Sequence, residues 1–492
     1  MILDNGPIYT MDPRLPQVRA LSIADGVIAG GVDVREGDRD TVGHERVNLD
    51  GRCVLPGFSD SHVHFRSWSL DQLATDLTEC DSLADALKTI GAAADGDGWL
   101  HGRGWRDARW PDAPPTAAAL DAVTRGRPAA LWAHDGHTLW LNTAALATAG
   151  ATHPTGVLHE REAWEFPLPD PPPALVTRAV LDAMRDANAH GVVAIHDLEA
   201  SGGRGLWQRL DADRRLTMRV HMGVPAELLG SARAVELRSG FGSELVRVGP
   251  IKAFMDGTLG SRTAWMLDGS GDILTSREEL ERIVLEAAAG GLDVAVHAIG
   301  DAANRAALDA FERTRHVWED ALMRPRIEHA QCVDDADLPR FAEIGVIASV
   351  QPSHATSDRD VADDLWGERA RCAYRTRDLL DSGAGLVFGS DAPVEPLDPL
   401  AGIHAAVHRT TGGREPWHPD QCLSVADAVH AFTAAGAYAA GDERGRGLLL
   451  PGFAADLVVL DTDIVAHPDR IASTRVEATM LAGRWVHNAP PW

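Results

Sequence analysis

His62 and His64 stand one residue apart in the segment LPGFSDSHVH. Side chains on a strand alternate faces, so residues i and i+2 point the same way. Two imidazoles placed like this can hold one metal ion. Taken alone, the pair also fits two polar histidines at a strand end. Three further residues change that reading. His297 in VAVHAIGD, His329 in RIEHAQ and Asp391 in FGSDAP each end an otherwise apolar run. Lys252 lies near the end of another, PIKAFMDG. Of the 46 basic residues only Lys88 and Lys252 are lysines, so a lysine kept against that arginine bias points to a need for an amine.

The elements that must position these groups read as alternating strands and helices. Eight short apolar runs occur, at 54–64, 192–198, 218–224, 250–257, 292–301, 326–331, 345–354 and 385–393. Amphipathic stretches such as SREELERIVLEAAAGG and DAANRAALDAFERTRHVWEDAL lie between them. This alternation predicts an α/β fold, a (β/α)8 TIM-like barrel. In such a barrel, groups at the ends of several strands gather at one mouth, where the chemistry is done.

The gap between the first two runs is far longer than the others. Residues from about 66 to 175 are read as an insertion on the active-site face, a lid or substrate-pocket module. It carries Trp68, Trp99, Trp105, Trp110, Trp132, Trp140 and Trp164 of the 14 tryptophans, and the proline cluster PLPDPPP. This suggests an aromatic or apolar pocket. Both ends of the chain, 1–54 and 447–492, show short strands and turns, each too small to bury a core alone. They are expected to join as one small β-sandwich, leaving 55–446 as the barrel with its insertion.

Composition narrows the partners. With 492 residues and 45% apolar content, the chain can bury a large core. A formal charge of −26 argues against nucleic acid, which requires basic patches. No apolar run reaches the roughly 18 residues that span a bilayer. The expected partner is therefore a small-molecule substrate, with no nucleic acid and no membrane. A homodimer is only the base-rate expectation. Five scattered cysteines without a CxxC pair, and a start that lacks a secretory pattern, predict a reduced cytoplasmic protein.

The same segments carry a resemblance. LPGFSDSHVH, DGHTLWLNTAAL, IKAFMDGTLGSRTA, VAVHAIGDAANRAALDAFE, RIEHAQ, VQPSH, FGSDAPVEPLDPLAGI and GFAADLVVLD resemble the amidohydrolase superfamily. Within it they resemble the YtcJ-like amidohydrolase-3 branch, which is similar to N-substituted formamide deformylase. The resemblance implies a metal-dependent hydrolase that cleaves a non-peptide amide or related C–N bond through a metal-activated water. It implies His62, His64 and Asp391 as ligands of one divalent ion and His297 and His329 as ligands of a second. Lys252, carboxylated, would bridge the two ions. Asp391 would also shuttle the proton from the water to the leaving amine. Zinc suits these ligands, although manganese, iron or cobalt are compatible, and a one-ion variant with unmodified Lys252 is the alternative.

Other residues are candidates with an equal structural reading. His354 in VQPSH, His137 in DGHTLWLN, Arg262 in DGTLGSR and Trp164 in LHEREAW are candidate substrate contacts. Glu160 reads as pocket lining or, more simply, as a solvated loop residue. Asp256 is assigned a structural role. His196, Asp197 and His221 are read as packing groups, and Asp301 as the N-cap of the following helix. Two alternatives to amide cleavage remain open. The same site can open lactones or esters, because fold and ligands do not fix the bond. A non-catalytic binding relative is the other, although no expected ligand is missing.

Overall fold

The computed structural model describes residues 1–31, 45–199 and 202–490. Eight parallel strands form the barrel: Phe58–Val63, Val192–Asp197, Arg219–Pro225, Val246–Phe254, Val294–Ala298, Arg326–His329, Ile347–Val350 and Leu386–Phe388. They are hydrogen-bonded in chain order. All eight predicted runs are therefore barrel strands. The first and eighth strands meet at the mouth, where Asp391 N donates to His62 O at 2.7 Å and His64 N to Ala392 O at 2.9 Å. Gly389 makes this approach possible, since a Cβ there would come within 2.8 Å of Asp60 Oδ1 and 2.9 Å of His62 Cβ.

The strands form because Val, Ile and Ala fill positions buried on both faces, the pattern of a parallel sheet covered by helices. Helix Arg277–Gly290 shows the covering logic. Ser276 caps it by accepting from Glu279 N, and Gly291 ends it at φ 69°. Leu280, Ile283, Val284, Ala287 and Ala288 recur at three- and four-residue spacing and face the barrel.

The insertion is a folded unit rather than a loop. Its five strands lie in the order Val157–His159, Thr138–Leu141, Ala129–Ala133, Leu100–Trp105 and Thr75–Asp76. It has its own apolar core, in which Trp105, Trp110 and Trp140 meet with ring centroids 5.9–6.1 Å apart. Trp68 instead packs on Phe65 in the barrel core. Of the seven tryptophans, Trp68, Trp99, Trp105, Trp132 and Trp164 line the cavity above the barrel, whereas Trp110 and Trp140 do not.

Strands from both chain ends form one continuous eight-stranded sheet around a separate apolar core. Residues 32–44 and 491–492 of the predicted terminal unit lie outside the described residues. The buried pair of Arg219 and Asp456, bonded at 2.8 and 3.0 Å, fastens this sheet to the barrel. Among the described residues, no helix is long and apolar enough to cross a membrane. All five cysteines are free.

Candidate active site

The barrel mouth opens into a cavity of about 1920 Å³. His62, His64, Lys252, His297, His329, His354 and Asp391 all line it. Asp391 is the hub. Its Oδ1 lies 3.4 Å from His62 Nε2 and 3.5 Å from His64 Nε2. Its Oδ2 lies 3.9 Å from His329 Nδ1 and 3.8 Å from His354 Nε2. Two groups of donor atoms result, each within ligand-sharing distance: His62, His64 and Asp391, and His329, His354 and Asp391. His297 stands beside the second group, its ring centroid 4.5 Å from that of His329.

Three of these imidazoles are oriented by a bond at one nitrogen. His62 Nδ1 meets Glu328 Oε2 at 2.7 Å, and His329 Nδ1 meets Gln351 Oε1 at 2.8 Å. His297 Nε2 donates to Gly257 O at 3.1 Å. Each ring thereby keeps its other nitrogen for a ligand, as metal-binding histidines do. Burial drives the ring pKa values of His297 and His329 well below the usual range, and that of His62 to about 4, so the rings are neutral donors. Burial opposes the Asp391 charge, but its bond with His64 helps hold its pKa well below the carboxylate range.

Lys252 projects into the same space from the fourth barrel strand. Its amine is buried and has no hydrogen-bond partner, as is true of His62 Nε2 and His354 Nε2. Burial pushes the amine pKa down to about 8. The backbone at the mouth is also strained. His329, Ala330 and Asp391 take φ of 73°, 41° and 59°, a region that non-glycine residues enter at a cost of about 1–3 kcal/mol each.

A model of the amidohydrolase family matches residues 45–487. The chain belongs to that family. Among relatives, this amidohydrolase is 30% identical to the putative amidohydrolase YtcJ of Bacillus subtilis, over 99% of each chain. It is 25% identical to the N-substituted formamide deformylase of Arthrobacter pascens, over 94% of each. Among solved structures, an uncharacterized metal-dependent hydrolase from Pyrococcus horikoshii superposes with a TM-score of 0.78 at 29% identity, covering 94% of this chain and 98% of that one. The protein is thus a hydrolase with a metal-dependent hydrolase fold, and its His and Asp clusters are able to hold metal.

The remaining candidates of the amidohydrolase divide. His137 reaches the cavity from the insertion, its ring centroid 5.4 Å from that of His297. Trp164 packs against His137 at 4.8 Å and Phe254 at 5.3 Å, and donates to Gly136 O. Arg262 is exposed at the rim. His196 accepts from Arg326, His221 lies 3.3 Å from Asp442, and Asp197 accepts from Trp207 Nε1 and Phe65 N, so each is engaged within the fold. Asp256 accepts from the N–H groups of Trp265, Ile299 and Gly300, a structural role.

Two readings are corrected. Glu160 is buried rather than solvated, because its carboxylate bonds His137 and Thr263. Asp301 is not an N-cap. It is the first helical residue, after Gly300, and accepts from Leu267 N. The residue that sequence reading missed is Glu328, which orients His62 and is itself held by Arg326 Nε at 2.7 Å. The signal was present in RIEH, a run with charged residues in a fully buried strand.

Proposed function

We propose that this amidohydrolase cleaves a non-peptide amide or related C–N bond at a centre of two divalent ions, with zinc the expected metal. One observation carries the reading. Lys252 Nζ, His62 Nε2 and His354 Nε2 are buried without partners around Asp391. Unpaired buried polar groups cost about 1–3 kcal/mol each; bound ions would satisfy the two imidazole nitrogens, and conversion of the Lys252 amine to a carbamate would make it a ligand as well. Neutral imidazoles and carboxylates are donors that suit zinc.

His62, His64 and Asp391 would hold one ion, and His297 and His329 the other, with His354 close enough to Asp391 to serve at the second. Lys252 would bridge as a carbamate. Its neutral amine, available because burial lowers its pKa to about 8, bonds to the carbon of carbon dioxide and releases one proton. Bound divalent ions would supply Lewis-acid polarisation of a carbonyl and lower the pKa of water toward about 7. Asp391 accepts the proton of the attacking water on a carboxylate oxygen and returns it to the leaving nitrogen. Glu328 and Gln351 keep His62 and His329 from rotating. Trp99, Trp132, Trp164 and Phe166 form an apolar wall for the substrate's substituent. The likeness to N-substituted formamide deformylase supports a C–N bond as the target.

The test joins metal analysis to a substrate panel. Protein purified without chelators is expected to hold close to two divalent ions per chain and to hydrolyse formamides or other amides. A protein that neither holds metal nor takes it up overturns the reading. Turnover of lactones alone overturns the assignment of the bond.

A further inference from the structure

Arg409 is 1% exposed and forms no ion pair among the described residues, an uncommon state for a charged side chain. Its contacts are neutral. Nε donates to Trp417 O at 3.0 Å and Nη1 to Tyr374 O at 3.1 Å, and the guanidinium lies over the Trp417 ring, 5.6 Å from its centroid. Nη2 has no hydrogen-bond partner. Burial brings the pKa down to about 10, and nearby acidic groups such as Asp420 offset this only in part. The group is therefore still charged at neutral pH. The backbone also gives up stability to keep an arginine here. Arg409 closes helix Pro399–His408 at φ 52°, in the left-handed region that glycine ordinarily fills.

Arg409 lines a cavity of about 10 Å³ that lies beside the main one and shares His329 and His354 with it. Gln351 lines it too, and its Nε2 is a second buried donor without a partner. The other end of that amide, Oε1, meets His329 Nδ1 at 2.8 Å. The hydroxyl protons of the wall are spent elsewhere. The Tyr374 hydroxyl donates to Asp358 Oδ2 at 3.0 Å and accepts from Gln331 Nε2, and Thr376 Oγ1 donates to Gln421 O at 2.9 Å. No carboxylate lines the cavity among the described residues. What remains is two unpaired N–H donors, one uncancelled positive charge and room for about one atom.

We propose that this cavity is a site for one chloride ion, bound by Arg409 Nη2 and Gln351 Nε2, and that the ion holds His329 in place through Gln351. A halide accepts from both donors and cancels the guanidinium charge. A water accepts from both but leaves the charge buried and uncompensated, which is the larger cost. Carboxylates and phosphates are too large for the space. With Nε2 pinned by the ion, the amide cannot turn its N–H groups toward His329, so Oε1 stays on Nδ1 and the other ring nitrogen stays free for a ligand. The anion site stands without the proposed hydrolysis; only its effect on His329 draws on the proposed metal centre.

The experiment has a crystal arm and a solution arm, and neither needs turnover. Crystals of the metal-loaded wild type grown in sodium bromide are expected to show an anomalous bromide peak within hydrogen-bond reach of Arg409 Nη2 and Gln351 Nε2. A water or nothing at that position overturns the proposal. In solution, sodium chloride replaces sodium methanesulfonate, whose anion is too large for the cavity, at constant ionic strength. The wild-type thermal midpoint is expected to rise by about 2 °C or more and to saturate. Arg409→Met leaves every proposed metal ligand in place and is expected to lose that response. A wild type that does not respond overturns the proposal, even with a bromide peak, because that result means binding at crystal concentration only. An equal response in Arg409→Met overturns it as well. Should Arg409→Met fail to fold, the bromide peak and the wild-type response still decide. Zinc affinity, read by competition with a chelator, is expected to be about tenfold or more weaker without chloride. Equal zinc affinity in the two salts overturns the link to His329.

Discussion

The barrel mouth and the tryptophan core of the insertion are both buried and both contain polar atoms, yet they treat those atoms in opposite ways. In the insertion every indole N–H of the central trio has a backbone partner. Trp105 Nε1 donates to Leu131 O, Trp110 Nε1 to Cys80 O and Trp140 Nε1 to Thr116 O, at 2.9–3.0 Å. At the mouth, Lys252 Nζ, His62 Nε2 and His354 Nε2 have none. Folding alone accounts for the first region, since apolar burial and satisfied hydrogen bonds both favour it. It does not account for the second, where unpaired groups and strained backbone oppose folding. A region that costs stability and persists is where a ligand is expected.

The contrast is tested most strongly at Asp391. Asp391→Asn keeps the shape but removes the charge that faces four imidazoles. Activity is expected to fall on the order of 10⁴-fold with the thermal midpoint little changed. Retention of more than a tenth of the activity would place the chemistry elsewhere. The opposite behaviour is expected of Trp140→Ala. Removing a fully buried indole from a satisfied core is expected to cost about 3–5 kcal/mol, read by denaturant unfolding. Because the insertion has its own core, bound metal should survive in this variant while activity, which draws on the cavity wall the insertion supplies, falls. Loss of metal together with the insertion would show that the two regions do not stand apart.

A smaller effect is expected at Glu328, whose carboxylate holds His62 Nδ1. Glu328→Gln is expected to weaken metal binding about 10–100-fold, measured by competition with a chelator. Unchanged affinity would mean that His62 is oriented by packing alone.

Much of this arrangement was legible in the sequence, and the parts that were not share a cause. The eight strands were readable because each is a short Val- or Ile-rich run ended by a chemically loaded residue. Their edges were less so: the fourth begins at Val246, where Val220 pairs with it, rather than at 250. Glu328 escaped notice because a charge beside His329 reads as the solvent side of an alternating strand, whereas a barrel strand has no solvent side. Glu160 looked like a loop residue because its partner lies 23 residues away and is reached only through strand register. Asp301 resembled a cap because the actual partner of the first-turn Ala302 and Ala303 N–H groups is Trp265 O, more than 35 residues earlier. Periodicity and residue type show which groups do chemistry. Which groups hold them in place is settled by pairings between distant segments.

The comparison has its finest test at Lys252 in protein stripped of metal and kept free of carbon dioxide. There the buried amine is a cost to folding with no ligand to offset it, so Lys252→Met should stabilise the chain rather than weaken it. Burial lowers the folded pKa to about 8, whereas an unfolded lysine titrates near about 10.4. Below the folded value both states hold the proton and the full penalty is felt. Between the two values the unfolded chain holds more protons than the folded one, so wild-type stability must rise with pH. Above the unfolded value both forms are neutral and that penalty is gone. Lys252→Met is therefore expected to exceed wild type by about 1–3 kcal/mol at pH 7, with the gap narrowing from pH 8 to pH 10.5. Denaturant unfolding across that range measures the gap directly. A variant less stable than wild type at pH 7 would mean that the amine is satisfied in the metal-free fold, and the barrel mouth would then differ from the tryptophan core in composition but not in kind.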